Sequence, residues 1–348
     1  MGLSIFIIFS NQILGQEARS YQVRTIAFYN LENLFDTIND PITFDDDRTP
    51  MGKDHWTGKV YRQKLANMAK VIHEIGREVA QMPPAIVGVA EIENHQVLED
   101  LLNEKQLRKE EYGIVQFDSP DRRGIDVGLL YLKSVFQVKN STTHTLYLYH
   151  SEDANKRVFT RDQLVVSGYL DRELIHFIVN HWPSRSGGEA KSRHKREAAA
   201  ALNVTIIDSI NANFPNAKII SMGDLNDDPT NSSLKKVLRT EEDYKKLDRH
   251  ALYNPFENMY KKGLGTLAYR DTWNLFDQML LSEPFLRKEF NGWQYFKSGI
   301  FNAPYLFTPD GQYKGYPFRS FANGAFTGGY SDHFPVYVYL IREVQTSD

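Results

Sequence analysis

No cysteine occurs among the 348 residues. Disulfides, thiolate metal sites and a thiol-linked lipid anchor are therefore excluded, and an oxidising compartment is permitted without being required. No apolar run approaches the ~20 residues that a bilayer-spanning helix needs, so no stable membrane span is expected. Charge of one sign is not in excess either. With 41 Lys and Arg against 44 Asp and Glu, no global positive field draws in a polyanion, and any nucleic-acid contact must be local. Also missing are a glycine-rich phosphate loop between a strand and a helix, which argues against a nucleotide-binding domain, and a His-Glu-x-x-His or cysteine pattern, which argues against zinc. No internal repeat or long low-complexity linker interrupts the chain.

What is present begins with a short apolar stretch over 3–9, followed by 11–16. It reads as a signal peptide over 1–16, cleaved near Gly15 or Gln16, which places the protein in the periplasm or outside the cell. The stretch lacks a preceding Lys or Arg, and a buried first strand is the alternative. Residues 17–348 read as one domain with enough apolar content for a sizeable core. From 61 to 80, Leu65, Met68, Ala69, Ile72, Ile75 and Val79 recur at three- and four-residue spacing, which predicts a helix with one buried face. Pro83 and Pro84 stop it and lead into a strand that ends at Glu91. Further helices are expected over 97–107 and 189–211. Strands are expected over 23–29, 112–117, 127–132, 143–149, 164–170, 174–180, 218–222, 276–281 and 336–341. Several strands follow one another directly, which predicts two packed sheets with helices outside rather than a doubly wound sheet.

Five scattered segments each close an apolar run with polar groups: Tyr29-Asn30-Leu31-Glu32-Asn33, Val89-Ala90-Glu91, Val179-Asn180-His181, Met222-Gly223-Asp224-Leu225-Asn226 and Ser331-Asp332-His333-Phe334-Pro335. Strand ends are where sheet-based sites are built. Hydrolysing a phosphodiester requires a positioned water, charge relief on the non-bridging oxygens and help for the leaving oxygen. Mg²⁺ or Mn²⁺ supplies much of this through one or two protein carboxylates or amide oxygens, a need that Asn30, Glu91 and Asp332 meet. Each residue alone has a plainer reading: Glu91 as a solvated loop residue, Asn30 as a turn former, Asp224 to Asn226 before Asp228-Pro229 as a turn. His181 and His333 alone read equally as half-buried, hydrogen-bonded imidazoles. Strand alternation predicts Asp224 and Asn226 on one face, where both contact a single water. A catalytic histidine needs an orienting carboxylate; Asp277 and Asp126, each opening an apolar segment, are the candidates. Arg161 and Arg185 are candidate phosphate ligands. The stretch 285–330 carries fourteen aromatic residues in forty-six, which reads as an irregular cap packed on a sheet edge or as a base-stacking or membrane-touching surface.

Together these segments resemble the endonuclease/exonuclease/phosphatase superfamily, which includes pancreatic deoxyribonuclease, abasic-site endonucleases, neutral sphingomyelinases and inositol polyphosphate phosphatases. The resemblance runs from about Val23 to Ile341 and implies a four-layer αββα sandwich, two packed mixed β-sheets flanked by helices, with the site at one mouth. It also implies roles. Asn30 and Glu91 resemble the metal-binding pair, with Asp332 as a further ligand. Asp224 and Asn226 resemble the groups that orient or deprotonate water, and His333 with Asp277 the pair beside the scissile phosphate. His181 resembles a second histidine of the deoxyribonuclease branch, with Asp126 where that branch places its partner, and Arg161 resembles its phosphate-contacting arginine. Two departures matter. The arginine that follows the first asparagine in deoxyribonuclease is absent, and Trp273-Asn274-Leu275-Phe276-Asp277 replaces the inositol phosphatase signature.

The function expected is an exported, Mg²⁺- or Mn²⁺-dependent phosphodiesterase, a nuclease of low sequence specificity acting on nucleic acid as a monomer, with no protein partner. The segment Asn180 to Gly188 looks like the Asn-His-basic loop of secreted bacterial nucleases, and Lys191, Arg193, His194, Lys195 and Arg196 follow it as a candidate strand-binding patch or a solvated helix face. The alternatives are a phospholipid or small phosphoester hydrolase, sphingomyelinase-like or a phosphatase, and a non-catalytic binding module.

Overall fold

Period-two alternation decides how the first strand is used. In β1 (Tyr21–Leu34), Ile26 and Phe28 face one side and Ala27 and Tyr29 the other, and all four are fully buried. A strand apolar on both faces needs a layer on each side. The computed structural model supplies them. It describes residues 20–150, 152–247 and 251–344; the expected leader over 1–16 lies outside the described residues.

One sheet runs β14 (Gln294–Ile300), β17 (Val336–Glu343), β1, β2 (Ile86–Ile92), β4 (Asp126–Leu132), β3 (Tyr112–Gln116). The other runs β13 (Asp277–Leu281), β10 (Lys218–Asp224), β9 (Glu173–His181), β8 (Gln163–Leu170), β5 (Phe136–His144). Both are mixed: β1 pairs in parallel with β2 and antiparallel with β17, while β10 pairs in parallel with β9 and antiparallel with β13. Ile26 and Phe28 meet Phe177, Ile220 and Met279 in the core between the sheets. Ala27 and Tyr29 pack instead under α1 (Gly58–Glu74) and α3 (His95–Leu102). On the far side, Ile178, Ile219 and Leu280 lie under α4 (Glu189–Asn213). This is the αββα sandwich expected, with each large apolar side chain sealed from water contributing about 1.5–3 kcal/mol.

Local chemistry sets the boundaries. Thr57 caps α1 by accepting the Val60 N–H, and Asn94 caps α3 by accepting that of Val97. The helix expected over 61–80 breaks at Gly76, which has φ +69° and no room for a β-carbon against Thr25; α2 (Arg77–Ala80) follows as a separate turn. The strand expected over 143–149 is also revised. Phe136–His144 pairs with β8, and the chain then makes a small hairpin, β6 (Leu148–His150) with β7 (Asp153–Val158). Within the aromatic segment, β14 adds an edge strand that aromatic density had hidden. The remaining hairpins are β11 (Leu267–Tyr269) with β12 (Thr272–Asn274), and β15 (Phe321–Ala322) with β16 (Ala325–Phe326).

Candidate active site

Strand ends from both sheets meet at one mouth of the sandwich. Asn30 pairs in register with Ala90, next to Glu91, and Asp224 pairs with His181 on one side and Asp277 on the other. The loop before β17 adds Asp332 and His333, anchored where the Ser331 hydroxyl donates to the Asn30 carbonyl at 2.8 Å. A bulge between Ala90 and Ile92 leaves Glu91 at φ +60°, and Glu32, Asn33 and Asn226 are also left-handed. Non-glycine residues in that region store strain, which recurs at functional sites.

Asp224 is the hub. Its Oδ2 accepts from Asn30 Nδ2 at 3.2 Å and lies 3.6 Å from His181 Nε2 and 4.0 Å from His333 Nε2. Burial raises its carboxyl to about 7, opposed by the charge of His333 and reinforced by Asp277. The two histidines are driven in opposite directions. His333 Nδ1 lies 2.7 Å from Asp277 Oδ2. Burial works against its charge, but Asp277, with Asp224 and Asp332 behind it, outweighs burial and holds His333 well above its ordinary value. His181 Nδ1 has no hydrogen-bond partner, and burial, with Arg161, Arg123 and His333, pushes it well below. One imidazole whose charged form is favoured and one whose neutral form is favoured thus flank one carboxyl group, a division of environments suited to acid–base work.

The donor set fits a hard divalent cation. Glu91 accepts from the Asn33 N–H at 3.0 Å and faces neutral His181 at 3.7 Å. Among the described residues no lysine or arginine bridges to it, so its charge is left for a metal. Asn30 Oδ1 accepts one N–H, from Glu32, and keeps a second lone pair. Asp224, Asp277 and His333 also offer ligand atoms within 4.8 Å of one another. As placed, His333 Nδ1 is committed to Asp277 Oδ2 at 2.7 Å, which makes the trio a hydrogen-bonded acid–base unit as well as a second candidate ligand group. Asp332, expected as a further ligand, is one-third exposed, accepts from Arg319 Nη2 at 3.1 Å and lies 3.9 Å from His333 Nε2.

Several expectations need correction. Asp126 does not orient His181; its carboxylate accepts from the Ser119 N–H and hydroxyl and from Gln116, and burial raises it to about 7. Arg161 is buried and holds strand ends together, donating to Asp121 at 2.9 Å and to the carbonyls of His181 and Trp182. Arg185 staples the loop after β10 through the Asn226 carbonyl, Asp227, Asp228 and Asn231. Neither guanidinium is free for phosphate as placed. Alternation does not carry Asn226 beside Asp224, because the chain turns left-handed there; Asn226 N–H caps Asp224 Oδ1 while Nδ2 donates to the Trp182 carbonyl. In the basic stretch on α4, Arg196 is buried against Asp227 at 2.6 Å and Arg193 is tied to Glu189.

Other residues at the site carried no assigned role in the sequence reading. Glu32 is buried and accepts from the Ser320 N–H at 2.6 Å and from Arg319. Lys64, fully buried on α1, donates to the Glu32 carbonyl, the Ser320 hydroxyl and the Tyr330 carbonyl. Burial lowers its ammonium to about 8. A lysine among the apolar positions of the helix pattern was the only available signal. Asn180 is fully buried and links β9, β10 and α4 through Ser221, Met222 and Asn203. Beside Asp224, Gly223 leaves no room for a β-carbon, since one would sit 2.2 Å from the Asn180 carbonyl oxygen.

A search of curated proteins finds no match. Solved structures do match. An endonuclease/exonuclease/phosphatase family protein from Bacteroides thetaiotaomicron is 16% identical with a TM-score of 0.52, covering 95% of this chain and 99% of that one. The human Nocturnin catalytic domain with bound sulfate is 14% identical with a TM-score of 0.54, covering 94% and 98%. D. rerio TDP2 complexed with single-strand DNA product is 14% identical with a TM-score of 0.52, covering 91% and 98%. At these identities the likeness is one of fold, a fold of phosphodiesterases and phosphatases. The sequence itself matches the Endonuclease/Exonuclease/phosphatase family across residues 25–342, and the chain belongs to that family.

Proposed function

We propose that the protein is an exported, Mg²⁺- or Mn²⁺-dependent phosphodiester hydrolase, and within that class a nuclease of low sequence specificity. The observation that carries the reading is the meeting of Asn30, Glu91, His181, Asp224 and the His333–Asp277 pair at one mouth of two facing sheets. A divalent cation held by Glu91 and Asn30 would neutralise charge on the phosphoryl oxygens and favour deprotonation of water. The chain's own groups divide the rest. Asp224, oriented by Asn30 and the Asn226 N–H, takes the proton of the attacking water. The water oxygen bonds to phosphorus as the bond to the leaving oxygen breaks, and the leaving oxygen keeps the bonding pair and takes a proton from solvent. Charged His333, fixed by Asp277, donates to a phosphoryl oxygen, and neutral His181 steadies Asp224 from its other side.

Nucleic acid is favoured by a local patch just before Arg161, the residue whose guanidinium meets the β9 end at the His181 carbonyl. Arg157 sits between the exposed rings of Tyr147 and Phe159 at 4.6 and 4.8 Å, and Arg122 lies 5.6 Å from Phe159. The exposed rings suit a single strand by stacking, while Arg157, with Nε and Nη2 buried between them, holds the rings in place. The D. rerio TDP2 fold, which carries a single-strand DNA product, is compatible with that substrate. Export rests on the leader over 1–16 and is tested by sequencing the amino terminus of protein recovered from the medium or periplasm.

The activity test offers purified protein plasmid DNA, single-stranded RNA, sphingomyelin and bis(4-nitrophenyl) phosphate, with Mg²⁺, Mn²⁺ or EDTA. Expected are nicking and RNA cleavage that EDTA abolishes, with Glu91→Gln raising the metal concentration for half activity. Ester hydrolysis without any cleavage of nucleic acid sinks the nuclease reading, and activity indifferent to EDTA sinks the metal.

A further inference from the structure

The aromatic segment does more than cover a sheet edge. Between the β11–β12 hairpin and residues 308–327 it encloses a cavity of about 480 Å³, within the size range of small-ligand sites. Asp332 lines this cavity and lies 3.9 Å from His333 Nε2, so the cavity opens beside the reacting centre. Tyr269, Tyr313, Tyr316 and Phe318 supply rings to its wall. Behind the wall the rings continue toward the site: Tyr313 and Tyr316 are 5.8 Å apart, Tyr316 and Trp273 6.2 Å, and Trp273 stacks on Phe334, the residue after His333, at 6.0 Å. Tyr269 and Tyr313 keep 62% and 44% of their surface open, although both line the cavity, so ring faces are available to an occupant. Tyr316 is held by its hydroxyl contacts to Asp271.

The charge of the lining selects the occupant. Asp271 and Asp332 balance Arg270 and Arg319 in the lining, so it carries no excess of positive charge for a second phosphate; Arg319 is engaged by Glu32 and Asp332, and Arg270 lies over the Tyr269 ring at 5.2 Å. A flat, uncharged group with a hydrogen-bonding edge suits this charge-balanced, ring-lined wall, and Gln312 and Asn323 offer amides to that edge. We propose that this cavity is a nucleobase subsite, taking the base of the nucleotide that adjoins the scissile phosphate. The inference rests on the hydrolase reading for its phosphate and goes beyond it in requiring an unpaired base. Duplex substrate would have to fray or flip a base to be cut efficiently.

Calorimetry on the full chain with Mg²⁺ tests this, comparing deoxyadenosine 5′-monophosphate with deoxyribose 5-phosphate, which lacks the base. The nucleotide should bind on the order of tenfold tighter, in line with a base stacked on aromatic rings. Tyr269→Ala with Tyr313→Ala should bring it down to the sugar phosphate, while Tyr269→Phe with Tyr313→Phe should keep the preference, with thermal melting confirming that both fold. Equal affinity of the two probes, no base-dependent binding at about 1 mM, or a preference that survives the alanine pair overturns the proposal. Base-selective binding in a protein that cleaves no nucleic acid would sink the nuclease reading and leave the subsite standing.

Discussion

Asp224 sits between two imidazoles of opposite charge preference: both are buried, but His333 has carboxylates around it while His181 has Arg161 and Arg123. His333 has Asp277 at 2.7 Å, whereas His181 Nδ1 has no partner. Removing the groups at the centre should therefore be felt in turnover. His333→Ala and Asp224→Asn should each lower kcat by roughly 10² or more with the circular dichroism spectrum unchanged; near wild-type rates in both would displace the chemistry from this mouth. A finer outcome concerns pH. Because His333 is held above its ordinary value, activity that uses its charged form persists into alkaline pH and falls as pH rises through the raised pKa. Asp277→Asn withdraws the opposing charge, so the alkaline fall should move to lower pH. An unmoved profile would show that His333 does not titrate in the reaction. Of these residues the sequence marked Asp224, Asp277, His181 and His333 by their place at the ends of apolar runs. It could not mark Asp126 as uninvolved with His181, because which hydroxyl or amide reaches a carboxylate first depends on loop paths, here that of Ser119.

Among the elements, the loop before β17 depends on α1. Lys64 joins the helix to the Glu32 carbonyl, Ser320 and the half-buried Tyr330, and lies 3.9 Å from the buried Glu32 carboxylate. Replacing it leaves that carboxylate buried near Asp332 with less compensation. Lys64→Met should cost about 3–5 kcal/mol, the scale for breaking a buried ion pair, and chemical denaturation should show it as a lower midpoint with an unchanged slope. A loss below about 1 kcal/mol would mean that solvent reaches the network. Helix α1 was legible from its apolar period, but its break at Gly76 was not, because the clash with Thr25 belongs to β1. Edge strand β14 was missed for a related reason. Its exposed Phe296 and Lys297 lack the two-sided apolar pattern that marks a central strand.

At the scale of the whole molecule, stability also depends on groups remote from the site. His176 on β9 is buried beside Phe214 and bonds Ser167 at 2.7 Å; burial, with Lys139, lowers it to about 4. The unfolded chain takes up that proton near pH 6.5 while the folded chain refuses it until about pH 4. The stabilisation is thus complete above 6.5 and lost as pH falls across this window. Melting temperatures from pH 7 to 4 should decline less in His176→Gln than in wild type, and parallel curves would assign the acid loss elsewhere. The sequence by itself determined the layers, because apolar period distinguishes strand from helix and two-faced burial demands a sandwich. It also determined which polar residues close the strands. Only the tertiary structure decided which of them meet. Hydrogen bonds and ion pairs act over a few ångströms between residues up to some three hundred positions apart, so whether Arg161 holds a phosphate or a carbonyl, and whether His181 has a partner, is settled by how two sheets face each other and not by any local pattern.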